Sequence, residues 1–192
     1  MRKIGEISAI ILLLSLSRLA ISIPNMEPIG AAALFGGALL SSRYLKFIIP
    51  ILALFVGDLI IAMLAPSYSA HLFSVTFVAV YISFLITVLI GKRMIGAKPK
   101  MKNIIGAGVL STVVFFLITN FAAWADPIHG FYSKDLPGLL QCYAMGLAFT
   151  KGNFLSSFFF NSLISNVGFS VLVFSLYSAY QRAVSPSQEA VL

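Results

Sequence analysis

The chain has 192 residues, of which 59% are apolar and only 10% charged. A soluble domain carries about a quarter of its residues as charged ones, so this chain is predicted to be a polytopic membrane protein. Its net charge of +7 does not mark a nucleic-acid binder, because the basic residues sit in short loops between apolar runs, and its single cysteine, Cys142, excludes an intrachain disulfide.

The N-terminal run MRKIGEISAIILLLSLS has the basic start and apolar centre of a signal peptide. Arg18 interrupts the apolar run and Ser22-Ile23-Pro24 is a poor cleavage site, so the segment is expected to stay as a first helix. Six apolar spans are predicted, over residues 7–23, 29–42, 47–65, 70–90, 104–123 and 153–178. They imply an all-α, six-transmembrane-helix bundle in one domain, 1–184, followed by a polar tail, 185–192. Most approach the ~20 residues that cross about 30 Å of hydrocarbon. The second is short, and a re-entrant hairpin is its alternative.

That second span follows IPNMEP, and the whole stretch from Ile23 to Ala38 reads IPNMEPIGAAALFGGA. Pro24 and Pro28 donate no backbone hydrogen bond and break the preceding helix. Behind them, Ala32 with Gly36 and Ala33 with Gly37 give the small-xxx-small spacing that lets membrane helices approach closely.

Loop charges choose between topologies. If all six spans cross and the N-terminus is cytoplasmic, the inside holds Arg2, Lys3, Arg43, Lys46, Lys92, Arg93, Lys98, Lys100, Lys102 and Arg182. The outside then holds Lys134 and Lys151, with Arg18 inside a span. Ten against two follows the positive-inside rule, and a re-entrant second span would break it. Both ends of this multi-pass protein are therefore expected in the cytoplasm. Between spans three and four lies a tight Pro66-Ser67-Tyr68-Ser69 turn. The external segment 126–152 contains LPGLLQCYAMGLAF behind Asp135, a candidate cap, and is expected to form a short interfacial helix. A simple connector and a lid both fit it.

Arg18 and Asp58 lie within spans, where an ionisable side chain costs about 2.5–3.5 kcal/mol and needs a partner. Counted from the outer ends of their helices, their depths differ by only about 3 Å at a rise of 1.5 Å per residue, so they can pair. Ser15, Arg18 and Ser22 share a helix face, as do Phe116, Asn120 and Trp124, and Ser157, Asn161 and Ser165. With Asn25, Glu27 and His71 above them, these groups suggest a cavity in the outer half of the bundle. The candidate substrate-binding residues are Arg18, Asn25, Glu27, Asp58, His71, Asn120, Trp124 and Asn161. Interhelical glue is the ordinary alternative for the asparagines, interfacial placement for Trp124 and Tyr68, and a surface position for His71.

Catalytic motifs are missing: there is no phosphate-binding glycine loop, HExxH, GxSxG or cysteine pair. No enzyme activity, cofactor or bound metal is expected, although Asp58 or His71 could serve as a base in an intramembrane enzyme. The series PNMEPIGAAALFGGA, VGDL, TNFAAW and GLLQCYAMGLAF, with an intramembrane Arg before it and an Asn-bearing last helix after it, resembles a family of uncharacterised bacterial six-helix inner-membrane proteins. That family is similar in turn to the substrate-binding S components of energy-coupling factor transporters. The resemblance implies capture of a small polar solute, a vitamin-like compound or a metal ion, from the outer side. It also implies an energising transporter subunit as partner, beside the lipid bilayer and the small-molecule ligand. The Ala-xxx-Ala docking pair of many S components is not found, since the first span has only Ala9 and Ala20. A scaffold or assembly subunit is the competing reading.

The topology is checked by labelling single cysteines in a Cys142→Ser background. Lys98→Cys should stay unlabelled by an impermeant maleimide in intact cells and react after permeabilisation. Labelling in intact cells overturns the orientation.

Overall fold

Arg2–Ser17 form helix α1, which ends in a 3-10 turn over Arg18–Ala20. Past it the chain approaches Pro24, which disfavours helical backbone in the residue before it. In the computed structural model, which describes residues 2–21, 23–69, 71–127, 131–148 and 157–184, all regular structure is helical. The other helices are α2 (Ile29–Leu39), α3 (Leu45–Leu64), the single turn α4 (Pro66–Ser69), α5 (Val75–Ile90), α6 (Met101–Ala125), α7 (Leu136–Leu147) and α8 (Phe158–Val184). A π turn over Gly91–Ile95 prolongs α5, and Gly96 closes it at φ 63°, a conformation that glycine adopts without steric cost.

Four helices are long and apolar enough to cross a bilayer: α3, α5 with its π turn, α6 and α8, of 20, 21, 25 and 27 residues. They carry the last four predicted spans, and the protein is a multi-pass integral membrane protein. Helix α5 starts at Val75 rather than at residue 70, because Ser74 caps it by accepting from the Phe77 N–H at 3.1 Å. The start predicted for the last span, residue 153, lies outside the described residues, as does the tail, 185–192. The predicted interfacial helix is present as α7, with the Asp135 carboxylate accepting from the Gly138 N–H at 2.8 Å.

The first two predicted spans differ from expectation. Helix α1 has 16 residues and its turn three more. Helix α2 has 11, which at 1.5 Å per residue is about 16 Å, half of the ~30 Å hydrocarbon core. It is the centre of the bundle rather than a lipid-facing span, for every residue from Ile29 to Ala38 is buried.

Small residues make that position possible. A Cβ on Gly37 would stand 2.1 Å from the Val88 carbonyl oxygen, and one on Gly91 would stand 2.4 Å from that of Leu34, so α2 and α5 touch backbone to backbone. On another side Gly36 faces Pro50 of α3 and Ile11 of α1, with an added Cβ only 2.7 Å from the proline ring. Phe35 fills the remaining side, edge-on to Phe174 and Tyr177 of α8 with centroids 5.2 Å apart in both pairs. The outer faces of the long helices carry Ile48, Leu52, Val78, Ile82, Val109 and Leu172, all exposed.

These registers also sort the charges. Helices α1 and α3 run parallel, α2 runs against them, and α5 and α8 end where α3 begins. Lys3, Arg43, Lys46, Lys92, Arg93 and Arg182 thus share one end of the bundle, and Arg18, Glu27 and Asp58 lie toward the other.

Gly37→Leu should force α2 away from α5. Overpacking of this kind costs about 1–3 kcal/mol or more, whereas Gly168→Ala, with no atom within 4 Å of the added Cβ, should be neutral. Thermal unfolding of the two variants in detergent measures the contrast, and equal losses would contradict the close α2–α5 contact.

Candidate functional site

The 3-10 turn after α1 aims the Arg18 side chain along α3. Its Nη1 lies 2.6 Å from Asp58 Oδ1, and the two side chains are only 8% and 3% exposed. Removing two charges from water costs several kcal/mol per ion unless both are well paired and their other hydrogen-bonding capacity is used. Two tyrosines complete the carboxylate. Tyr68 of α4 donates to Oδ1 at 3.0 Å, and Tyr81 of α5 donates to Oδ2 at 2.6 Å. Asp58 therefore ties together α1, α3, α4 and α5.

The loop between α1 and α2 brings the second carboxylate. Pro24 and Asn25 occupy the centre of a turn closed by the Met26 N–H donating to the Ile23 carbonyl at 3.1 Å. Asn25 has φ 58°, and proline followed by asparagine suits a type II turn. Helix α8 fastens this loop twice: Asn161 Nδ2 donates to the Pro24 carbonyl at 2.8 Å, and Ser165 Oγ donates to the Glu27 carbonyl. Glu27 Oε2 is then 3.1 Å from Arg18 Nε, with its side chain 32% exposed. The contact is ionic without an aligned hydrogen bond, since buried Arg18 Nε has no hydrogen-bond partner. Arg18 is thus held firmly by Asp58 and loosely by Glu27.

Around these groups lies a cavity of about 230 Å³. Arg18, Asn25, Glu27, Asp58, Tyr68 and His71 surround its upper part, Phe77, Phe84 and Phe115 contribute aromatic walls, and Thr87, Ser162 and Asn166 lie deeper. From the helix ends at Leu64 and Val75, Leu54 and Thr87 lie about 15 and 18 Å down at 1.5 Å per residue. The cavity reaches the middle of the bundle.

Two of the cavity groups that lie outside the spans are displaced from ordinary acidity. Burial raises the Glu27 carboxyl; Arg18 opposes this and Asp58 adds to it. Burial, helped by the Asp58 charge, pushes the Tyr68 phenol up to about 12, so it stays a donor at neutral pH. Among the described residues no group of three His, Cys, Asp or Glu side chains gathers as a metal site requires. His71 has Ser74 Oγ 3.4 Å from its Nδ1 and packs against the Tyr68 ring.

Five of the eight predicted residues line the cavity: Arg18, Asn25, Glu27, Asp58 and His71. The structure places the other three elsewhere. Asn161 holds the Pro24 turn from behind. Asn120 faces α7: its Nδ2 donates to the Phe116 carbonyl at 2.9 Å, and its own carbonyl accepts from Cys142 Sγ at 3.3 Å. Trp124 Nε1 donates to the Ser133 carbonyl at 2.8 Å. Helix α7 is thus fastened to α6 and contributes no residue to the cavity wall. Ser22 lies outside the described residues. Sequence reasoning missed Tyr81, Thr87, Ser162 and Asn166 and read Tyr68 as interfacial. The spacing of Ser162, Ser165 and Asn166, one polar stripe on α8, was the available signal.

One protein family matches the chain over residues 2–188. The chain belongs to that family, DUF6580, a family of unknown function. No curated protein and no solved structure matches it. Within this DUF6580 chain the five cavity residues come from the 3-10 turn, the 23–28 loop, α3 and the segment before α5. The quoted motifs PNMEP and VGDL therefore meet at one place.

Arg18→Leu and Asp58→Leu should each cost about 3–5 kcal/mol, because each strands a buried charge. The double change should cost less than the sum of the two, the signature of direct coupling. Melting of the three variants in detergent decides it, and strictly additive losses would count against the pair.

Proposed function

We propose that this protein is a substrate-binding or transport protein of the bacterial inner membrane, similar in kind to an S component, that captures a small polar solute from the outer side. The observation that carries the reading is the cavity itself. The 3-10 turn, the 23–28 loop, α3, residues 66–71, α5 and α8 bring charged and hydrogen-bonding groups to one aromatic-walled chamber that reaches the middle of a membrane bundle. A ligand pocket has this composition: mostly apolar walls with a few convergent polar groups that fix orientation. At about 230 Å³ it suits a ligand smaller than a drug-sized one, for which pockets run to roughly 300–1,000 Å³.

Orientation follows from the charges. The basic end faces the cytoplasm under the positive-inside rule, and the cavity then opens outward. Six crossings with both ends inside belong to this reading. The short helix α2 completes its crossing through the flanking segments, beginning with the buried Pro28 and Leu40; irregular backbone is tolerated at membrane depth where it is buried in protein or lines a cavity. An energising subunit is its partner under this reading, and no catalytic step is involved.

One observation favours a scaffold role for part of the network. Both oxygens of Asp58 are already occupied by donors of the protein itself, so this carboxylate organises the site while Glu27 and the deeper groups meet the solute.

Native mass spectrometry of gently purified protein should show a bound small molecule. Val80→Trp, which fills the chamber from α5, should remove that adduct, while Leu172→Trp on the exposed face of α8 should keep it. An adduct that survives Val80→Trp, or no adduct in the parent, would sink the reading.

A further inference from the structure

The chamber has a charge balance and a hydrogen-bond polarity that select among solutes. Among the described residues that line it, Arg18 is the one Lys or Arg side chain, set against two carboxylates, Asp58 and Glu27. With these three groups ionised their sum is one negative charge. Asp58 is the tightly bonded partner, at 2.6 Å and with two tyrosine donors besides. Glu27 is the partner without an aligned hydrogen bond, and its side chain is one-third exposed. The surplus charge therefore resides on Glu27.

The deeper groups add acceptors. Asn166 Nδ2 donates to Thr112 Oγ1 at 3.0 Å, and Thr112 Oγ1 donates onward to the Gly108 carbonyl at 2.9 Å. Because the threonine proton is committed to that carbonyl, its oxygen can only accept, and the amide must present its NH₂ to it. This fixes the other end of the amide: Asn166 Oδ1 is turned toward Gly30, where a Cβ would stand only 1.8 Å away. Gly30 and Asn166 both line the chamber, so Asn166 keeps an acceptor oxygen on the chamber side. Thr87 behaves likewise, since its hydroxyl donates to the Ser83 carbonyl at 2.9 Å and leaves only lone pairs. Glu27 and Asn166 also share one wall, for the residue before Asn166 holds the Glu27 carbonyl. Phe77 and Phe84 of α5 and Phe115 of α6 also line the chamber.

We propose that the chamber takes a small organic monocation whose charge is carried on N–H groups, an amine, amidine or guanidine, attached to a flat apolar body. The N–H groups meet Glu27 and Asn166 Oδ1, and the flat body lies against the phenylalanines, whose ring faces also attract a cation. An anion would face two carboxylates and, among the described lining residues, one arginine that both already hold. This deepens the binding reading and rests on it.

Three probes of one shape and three charges test the class: benzamidine, benzamide and benzoate. Binding to the full chain in detergent is measured by calorimetry and by thermal shift. Benzamidine should bind on the order of tenfold more tightly than benzamide, and benzoate should be the weakest. Glu27→Gln should bring benzamidine down to the level of benzamide. If that variant folds poorly, His71→Lys, which adds a positive charge at the rim and leaves the Glu27 loop intact, should weaken benzamidine and strengthen benzoate. Equal or tighter binding of benzamide or benzoate overturns the cation class, and so does a benzamidine preference that survives both variants. Binding of none of the three at millimolar concentration also overturns it. The native mass measurement on the same preparation then separates the two claims: an adduct keeps the wider reading, and its absence removes both.

Discussion

Arg18 and Asp58 leave water together, and much of that end of the bundle is arranged so that neither is left alone. A guanidinium and a carboxylate attract strongly in a weakly screened interior, but their desolvation takes back most of that gain unless every lone pair finds a donor. Tyr68 and Tyr81 supply those donors from two further helices. The pair therefore fixes the end of α1 against α3 and the turn of α4 over both, and it sets the register of α5. Glu27 enters as a third charge, on a loop that Asn161 and Ser165 of α8 hold over the chamber.

Close packing at the other end of α2 complements this. Gly37 against Val88 and Gly91 against Leu34 bring two backbones into contact. In a lipid environment there is no hydrophobic drive to bring helices together, so surface fit and polar links must do it. The glycine contacts lock the basic end of α2 and α5. Toward the opposite end α2 gives way to the Pro24–Pro28 loop, and the helices around it have no partner of helical width to close upon. A chamber is left where the small-residue helix stops. The same short α2 thus accounts for a tight core at one end and an open one at the other.

How much of this was legible depends on the kind of signal. The four long helices were legible because a run of ~20 apolar residues has few other uses, and α7 was legible from its Asp135 cap. The Arg18–Asp58 pair could be read from depth alone, since buried opposite charges at one level have few alternatives. The second span was legible as short, but its burial on every side was not, because composition does not distinguish lipid from protein as surroundings. Asn120 and Trp124 carried the same residue chemistry as the cavity groups, but the carbonyls that satisfy them belong to their own helix and to the α6–α7 connection. Tyr68 and Tyr81 failed for the opposite reason: Tyr68, near a helix end, has a bland interfacial meaning, and for both the partner, Asp58, lies on another element.

Asp58 and Glu27 show why a buried charge in a membrane protein needs its partners counted before it is given a role. Both carboxylates touch Arg18 and both line the chamber. Asp58 has its acceptors filled by an arginine and two tyrosines, so a solute that bound it would have to displace a bond the fold relies on. Glu27 sits on a loop, with one ionic contact that is not an aligned hydrogen bond. A solute can replace that contact while Arg18 stays with Asp58. The two groups divide the work by saturation rather than by charge: one carboxylate builds the chamber, and the other is left to meet what enters it.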